Sequence, residues 1–118
     1  MKLYAFDVDE TLEVSGGPVA MESVAELRRQ GHIVGLCGNF AVVTRTFPRD
    51  WHGLFSFIGP AGLTKADFLL QLKHYVPCDE VVMVGNVFGV SGSSRDSEAA
   101  ELAGVRFIRE SDFAAGAR

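Results

Sequence analysis

The chain has 118 residues and a formal net charge of −4, with 47% of its residues apolar and 22% charged. That length suits one ordinary domain over residues 1–118 and leaves no room for a separate substrate domain or a long mobile lid. The composition is globular: too apolar for disorder, and without the unbroken apolar run of about 18 residues that a membrane span needs. An acidic balance with no Lys/Arg cluster argues against a dedicated nucleic-acid backbone binder, while a small phosphorylated substrate held through a metal stays compatible with it. Asp7 interrupts the first apolar run, which leaves no place for a signal peptide, so an intracellular, cytoplasmic protein is expected. Cys37 and Cys78 lie in no metal-ligand spacing and are expected to be buried small apolar residues of a reducing compartment.

Short runs rich in Val, Ile and Phe alternate with helical patterns, which predicts βαβ units and a parallel sheet. The first strand is expected over 3–8. Pro18 then opens a helix whose apolar face holds Ala20, Val24 and Leu27 and whose stop is Gly31. A strand over 33–37, a helix over 40–47 ending at Pro48 and a strand over 54–58 follow. Thr64 caps the next helix with Asp67 at the capping-box position, and Phe68, Leu69 and Leu72 turn to the sheet. The fourth strand covers 81–84, the fourth helix 94–102 with Gly104 as its stop, and the fifth strand 105–108. Residues 15–17 and 89–94 read as loops, and the tail after Glu110 as a short helix or a frayed end.

In such sheets reactive groups collect beyond the carboxyl ends of the strands, where the strand order reverses. Those ends carry Asp7 and Asp9, then Gly38 and Asn39, then Gly59, then Gly85 and Asn86. Two carboxylates one residue apart at a strand exit repel each other. A divalent cation relieves that repulsion, and hard oxygen ligands with retained waters suit Mg²⁺. Taken alone, the pair reads rather as a solvated loop whose Asp caps the next helix.

The further motifs resemble the haloacid dehalogenase superfamily of phosphatases, in order along nearly the whole chain. Asp7, Asp9 and Thr11 match the family's D-x-D-x-T after an apolar strand. Lys65 matches its lysine near the start of the helix before the fourth strand. The run 81–86, then Asp96, then 99–105 resembles its last motif of apolar strand, Gly-Asp, spacer, Asp and helix ending in Ala-Gly-Val. The resemblance implies Asp7 as nucleophile forming an aspartyl-phosphate, Asp9 as general acid and base, and Lys65 neutralising charge on Asp7 and the phosphoryl oxygens. It also implies Mg²⁺ held by Asp7, the Asp9 carbonyl, Asn86 and Asp96, with substrate contacts from Thr11, Gly38 and Asn39.

Two positions depart from the family pattern. Gly38 stands where a Ser or Thr hydroxyl binds phosphate, leaving the backbone N–H groups of Gly38 and Asn39 and the Asn39 amide as donors. Asn86 stands where the family has an acid, with a long spacer from 87 to 94 before Asp96. The expected architecture is a three-layer α/β/α sandwich around a five-stranded, Rossmann-like parallel sheet ordered 5-4-1-2-3. Short links after Thr11 and between Phe47 and Lys65 make it resemble the capless members. An open site implies a large phosphorylated partner, a neighbouring subunit of a homo-oligomer as lid, or low selectivity among small phosphomonoesters. The alternative function is a non-catalytic metal- or phosphate-binding module that kept the fold. A phosphotransfer receiver domain needs an acceptor Asp ending the third strand, where this chain has Ile58-Gly59-Pro60. His32, His52 and His74, the turn over 48–53, and Arg45 and Arg95 read as local structure rather than as ligands.

Overall fold

A computed structural model describes residues 1–46 and 51–118. Its strands are β1 (Lys2–Phe6), β2 (Ile33–Cys37), β3 (Ile58–Gly59), β4 (Glu80–Gly85) and β5 (Arg106–Arg109), all paired in parallel. Neighbours run β3-β2-β1-β4-β5, which read from the β5 edge is 5-4-1-2-3. The helices are α1 (Met21–Arg29), α2 (Phe40–Thr46), α3 (Trp51–Leu54), α4 (Lys65–Tyr75), α5 (Asp96–Ala103) and α6 (Glu110–Ala114).

Strand alternation sorts the core into two layers. Leu3 and Ala5 of β1 pack with Leu69 and Leu72 of α4 and with Ala99, Ala100 and Ala103 of α5. Tyr4 and Phe6 point the other way, to Val24 and Leu27 of α1, Val43 of α2 and Phe113 of α6. The sheet is therefore covered on both faces, as parallel sheets require. Phe113 meets Phe6 and Tyr4 edge-on at centroid distances of 5.3 and 6.3 Å, so the tail is a docked helix rather than a frayed end.

Several boundaries differ from the sequence expectation. Pro18 does not open α1, because Val19 is buried in a bridge to Leu12 and the Met21 N–H is received by the Glu13 carboxylate at 2.9 Å. The third strand lies later and is shorter than expected. Leu54 closes the short helix α3, and backbone pairing with β2 begins only at Ser56, whose N–H meets the Val34 carbonyl at 2.8 Å. Pro60 follows β3 and has no N–H to extend the ladder. The first strand stops at Phe6, which leaves Asp7 and Val8 free of the ladder's alternation. The expected helix end at Phe47 and Pro48 and the start of the 48–53 turn lie outside the described residues, as does the His52 side chain.

Thr64 accepts from the Asp67 N–H at 3.1 Å and caps α4 as expected, and Gly104, at φ 67°, ends α5. Among the described residues, no helix is long and apolar enough to cross a membrane.

Candidate active site

The carboxyl edge of the sheet gathers Asp7, Asp9, Lys65, Asn86 and Asp96 around the central strand β1. Asp7 leaves β1 buried, and its own N–H still reaches across to the Val84 carbonyl of β4 at 2.9 Å, which anchors the residue in the sheet. One carboxylate oxygen receives Lys65 Nζ at 2.8 Å, and the other receives the Thr11 hydroxyl at 3.3 Å. Lys65 comes from the first turn of α4, so the Thr64 cap that starts the helix also sets the direction of the lysine.

The same ammonium donates to Asp96 Oδ1 at 2.7 Å. Asp96 opens α5 and its second oxygen accepts the Asn86 backbone N–H at 2.8 Å. The long spacer therefore does not keep Asp96 from the cluster. Both of its oxygens are engaged, by Lys65 and by the backbone, which makes it a holder of Lys65 before anything else. Lys65 thus bridges two carboxylates whose side chains are 2% and 0% exposed.

Burial raises the Asp96 pKa to about 7, with the Asp7 charge adding to the rise and Lys65 opposing it. For Lys65 burial disfavours the charged form, but the two neighbouring carboxylates outweigh it and its pKa lies above the ordinary value. The unit is an ammonium between two buried carboxyl groups.

Asp9 is half-buried, and its carboxylate lies 3.5 Å from the Asn39 amide nitrogen, at the outer limit of a hydrogen bond. Gly38 answers differently from expectation. Its N–H is spent on the Gly59 carbonyl at 2.8 Å, so it is no phosphate donor here. A Cβ at 38 would come within 2.4 Å of Asp7 Oδ1, so glycine at this position makes room for the Asp7 carboxylate. Thr11, expected to touch substrate, is fully buried and touches Asp7 instead.

The spacer from 87 to 94, read as a loop with little order, is tied at two points. Glu10, at the positive φ of 59°, receives the Ser93 N–H and hydroxyl at 3.2 and 2.9 Å. Glu110, buried at the end of β5, receives the Ser91 hydroxyl and the Asn86 amide nitrogen, each at 3.1 Å. Neither glutamate was singled out from sequence. Glu110 opens α6 directly after β5, on the same edge as the other site residues.

Among the described residues no group of three or more His, Cys, Asp or Glu is gathered as a metal site. The oxygens that the family resemblance assigns to a hard cation are a mixed set: the Asp7 carboxylate, the Asp9 carbonyl and Asn86. Asn86 Oδ1 is buried without a hydrogen-bond partner, the condition expected of an oxygen reserved for a cation. These residues fit Mg²⁺ in donor chemistry. Elsewhere, Cys37 is buried and its thiol is pushed up to about 12 by that burial, an inert core residue, whereas Cys78 is only half-buried. His32 accepts the Lys2 N–H, and Arg95 pairs with Glu98 and stacks on Phe88, so neither joins the site. Compared with known proteins, the chain matches no family model, no curated protein and no solved structure.

Proposed function

We propose that the chain is a Mg²⁺-dependent phosphomonoester hydrolase of the haloacid dehalogenase type, acting through an aspartyl-phosphate on Asp7. The observation that carries this reading is the Lys65 ammonium held between Asp7 and Asp96 at the carboxyl edge of the central strand. A carboxylate fixed beside a cation, on an edge where substrates enter, suits nucleophilic attack on an anionic phosphoryl group, because Lys65 lowers the repulsion between the two.

In that reaction an Asp7 oxygen bonds to phosphorus as the bond to the leaving oxygen breaks, and Asp9 gives that oxygen its proton. Asp9 then takes a proton from a water that attacks the phosphoenzyme, releasing inorganic phosphate and restoring Asp7. Thr11 holds the Asp7 carboxylate in orientation, and the exposed Asn39 amide is the side-chain donor on the substrate side. Asp7, the Asp9 carbonyl and Asn86 would hold Mg²⁺, with Asp96 bound to Lys65, and the ion would supply positive charge against the anionic reactants. Among the described residues no cap covers the edge: residues 12–20 form a short 3-10 helix over Glu13–Ser15 and the bridge between Leu12 and Val19. This openness fits a macromolecular phosphorylated partner, a second copy acting as lid, or small phosphomonoesters taken with little selectivity. A cytoplasmic setting belongs to the same proposal.

The second reading is a metal- or phosphate-binding module without turnover, favoured by the nearly complete burial of Asp7 and by the Gly38 N–H already engaged. Hydrolysis of p-nitrophenyl phosphate and a phosphomonoester panel, with Mg²⁺ and with chelator, separates the two. Mg²⁺-dependent turnover that vanishes in Asp7→Asn is expected. Absence of turnover with every divalent metal, alongside measurable Mg²⁺ binding, overturns the enzyme in favour of the module.

A further inference from the structure

We infer that Glu110 is a positioning residue that locks the Asn86 amide with its nitrogen inward, freeing the oxygen for a cation, and supplies the negative charge missing at position 86. This rests on the cation site proposed above. Asn86 is fully buried, and its amide nitrogen donates to Glu110 Oε2 at 3.1 Å and to the Glu10 carbonyl at 3.3 Å. Both partners only accept, so they take both amide hydrogens and fix which end of the amide is which. The other end, Oδ1, is left buried with no partner.

Glu110 is itself held. Ser91 donates to the same Oε2 at 3.1 Å and Arg109 Nε lies 3.6 Å from Oε1, while the Ser91 oxygen takes the Val87 N–H at 2.9 Å. Gly92 closes the cradle, since a Cβ there would come within 2.6 Å of the Asn86 amide carbon and leave it no space.

An aspartate at 86 would set its carboxylate against the Glu110 carboxylate and the Glu10 carbonyl, three acceptors with no proton among them. Asparagine is the residue this cradle requires. The charge sits one residue behind, where it polarises the amide and makes its oxygen a better ligand.

Mg²⁺ titration by calorimetry and Mn²⁺ binding by electron paramagnetic resonance test this on the full chain, its Glu110→Gln, Asn86→Asp and double variants, and Ser91→Ala, with melting curves in chelator. Glu110→Gln is expected to stay folded and to weaken cation binding about tenfold or more, because a glutamine can present its own NH₂ and let the Asn86 amide turn. Ser91→Ala, a milder change, should weaken it less. Asn86→Asp should melt lower in chelator and regain its melting temperature and its cation in the double variant. Wild-type binding that Glu110→Gln leaves within about twofold, or an Asn86→Asp variant that melts like wild type, overturns the role of Glu110. Absence of Mg²⁺ and Mn²⁺ binding by the wild-type chain instead overturns the cation site itself. The chelator melts of Asn86→Asp and the double variant then still report whether Glu110 and position 86 are coupled.

Discussion

Lys65 carries two duties at once, and its substitution separates them. As the ammonium between Asp7 and Asp96 it neutralises two buried carboxylates, so Lys65→Ala leaves anions without a counter-charge. Breaking a buried ion pair on one side costs about 3 to 5 kcal/mol, and the low end applies because Asp96 can take up a proton. Urea unfolding at neutral pH should therefore show a loss near 3 kcal/mol together with loss of turnover; a change under about 1 kcal/mol would mean that the carboxylates are already solvated or neutral. Taken by itself, a first-turn lysine is a solvated residue with no such stability to lose. At Gly38 the geometry reverses a simple expectation as well. Adding the hydroxyl that the family resemblance lacks, through Gly38→Thr, would drive a Cβ into Asp7 Oδ1. That overpacking should cost about 1 to 3 kcal/mol and abolish hydrolysis, read by melting and by assay. Full activity in Gly38→Thr would show that the Asp7 carboxylate sits elsewhere during catalysis.

Elements carry these residues into place, and helix α4 shows how. Thr64 receives the Asp67 N–H and fixes the turn from which Lys65 projects. Thr64→Ala should lower stability by about 1 kcal/mol and also raise KM, because the lysine loses its fixed starting point; hydrogen exchange at the first α4 amides should quicken. An unchanged KM with the stability loss would confine the cap to structure. This cap was legible in the Thr-x-x-Asp spacing, as were β1, β2, β4 and β5 in their apolar runs. The third strand was legible in its existence and place but not in its bounds, since an edge strand of two residues has a partner on one side only and little periodicity to declare it. At the site, Asp7, Lys65 and Asp96 could be read as one group only through the family resemblance, because no local pattern brings residues so far apart in sequence together. Glu10 and Glu110 went unread for a physical reason of their own: a left-handed turn and a glutamate beginning a tail look like solvated surface until tertiary contacts bury or engage them.

For the whole molecule the shared charge makes stability depend on pH in a direction opposite to that of most carboxylates. The usual paired acid has a lowered pKa and loses stability on acidification. Asp96 instead has its pKa raised to about 7, first by burial and then by Asp7, above the ordinary value of 3.8. Near or below the lower value both folded and unfolded chains hold the proton, and the contribution to stability is complete. Between the two values the folded chain keeps a proton that the unfolded chain has released, so stability falls as pH rises and is fully lost above the folded pKa. In chelating buffer the slope from this group approaches about 1.4 kcal/mol per pH unit as a limit. Urea midpoints from about pH 4.5 to about pH 8 should accordingly decline for the wild-type chain. Asp7→Asn removes the second cause of the rise, so in that variant the decline should be shallower and the midpoint near neutrality higher. A wild-type midpoint that climbs through this window would mean that Asp96 titrates like an ordinary paired acid and that Lys65 holds it fully ionised. Equal slopes in wild type and Asp7→Asn would mean that the two carboxylates do not feel each other across the lysine, and the bridge that carries the proposed chemistry would then be absent in solution.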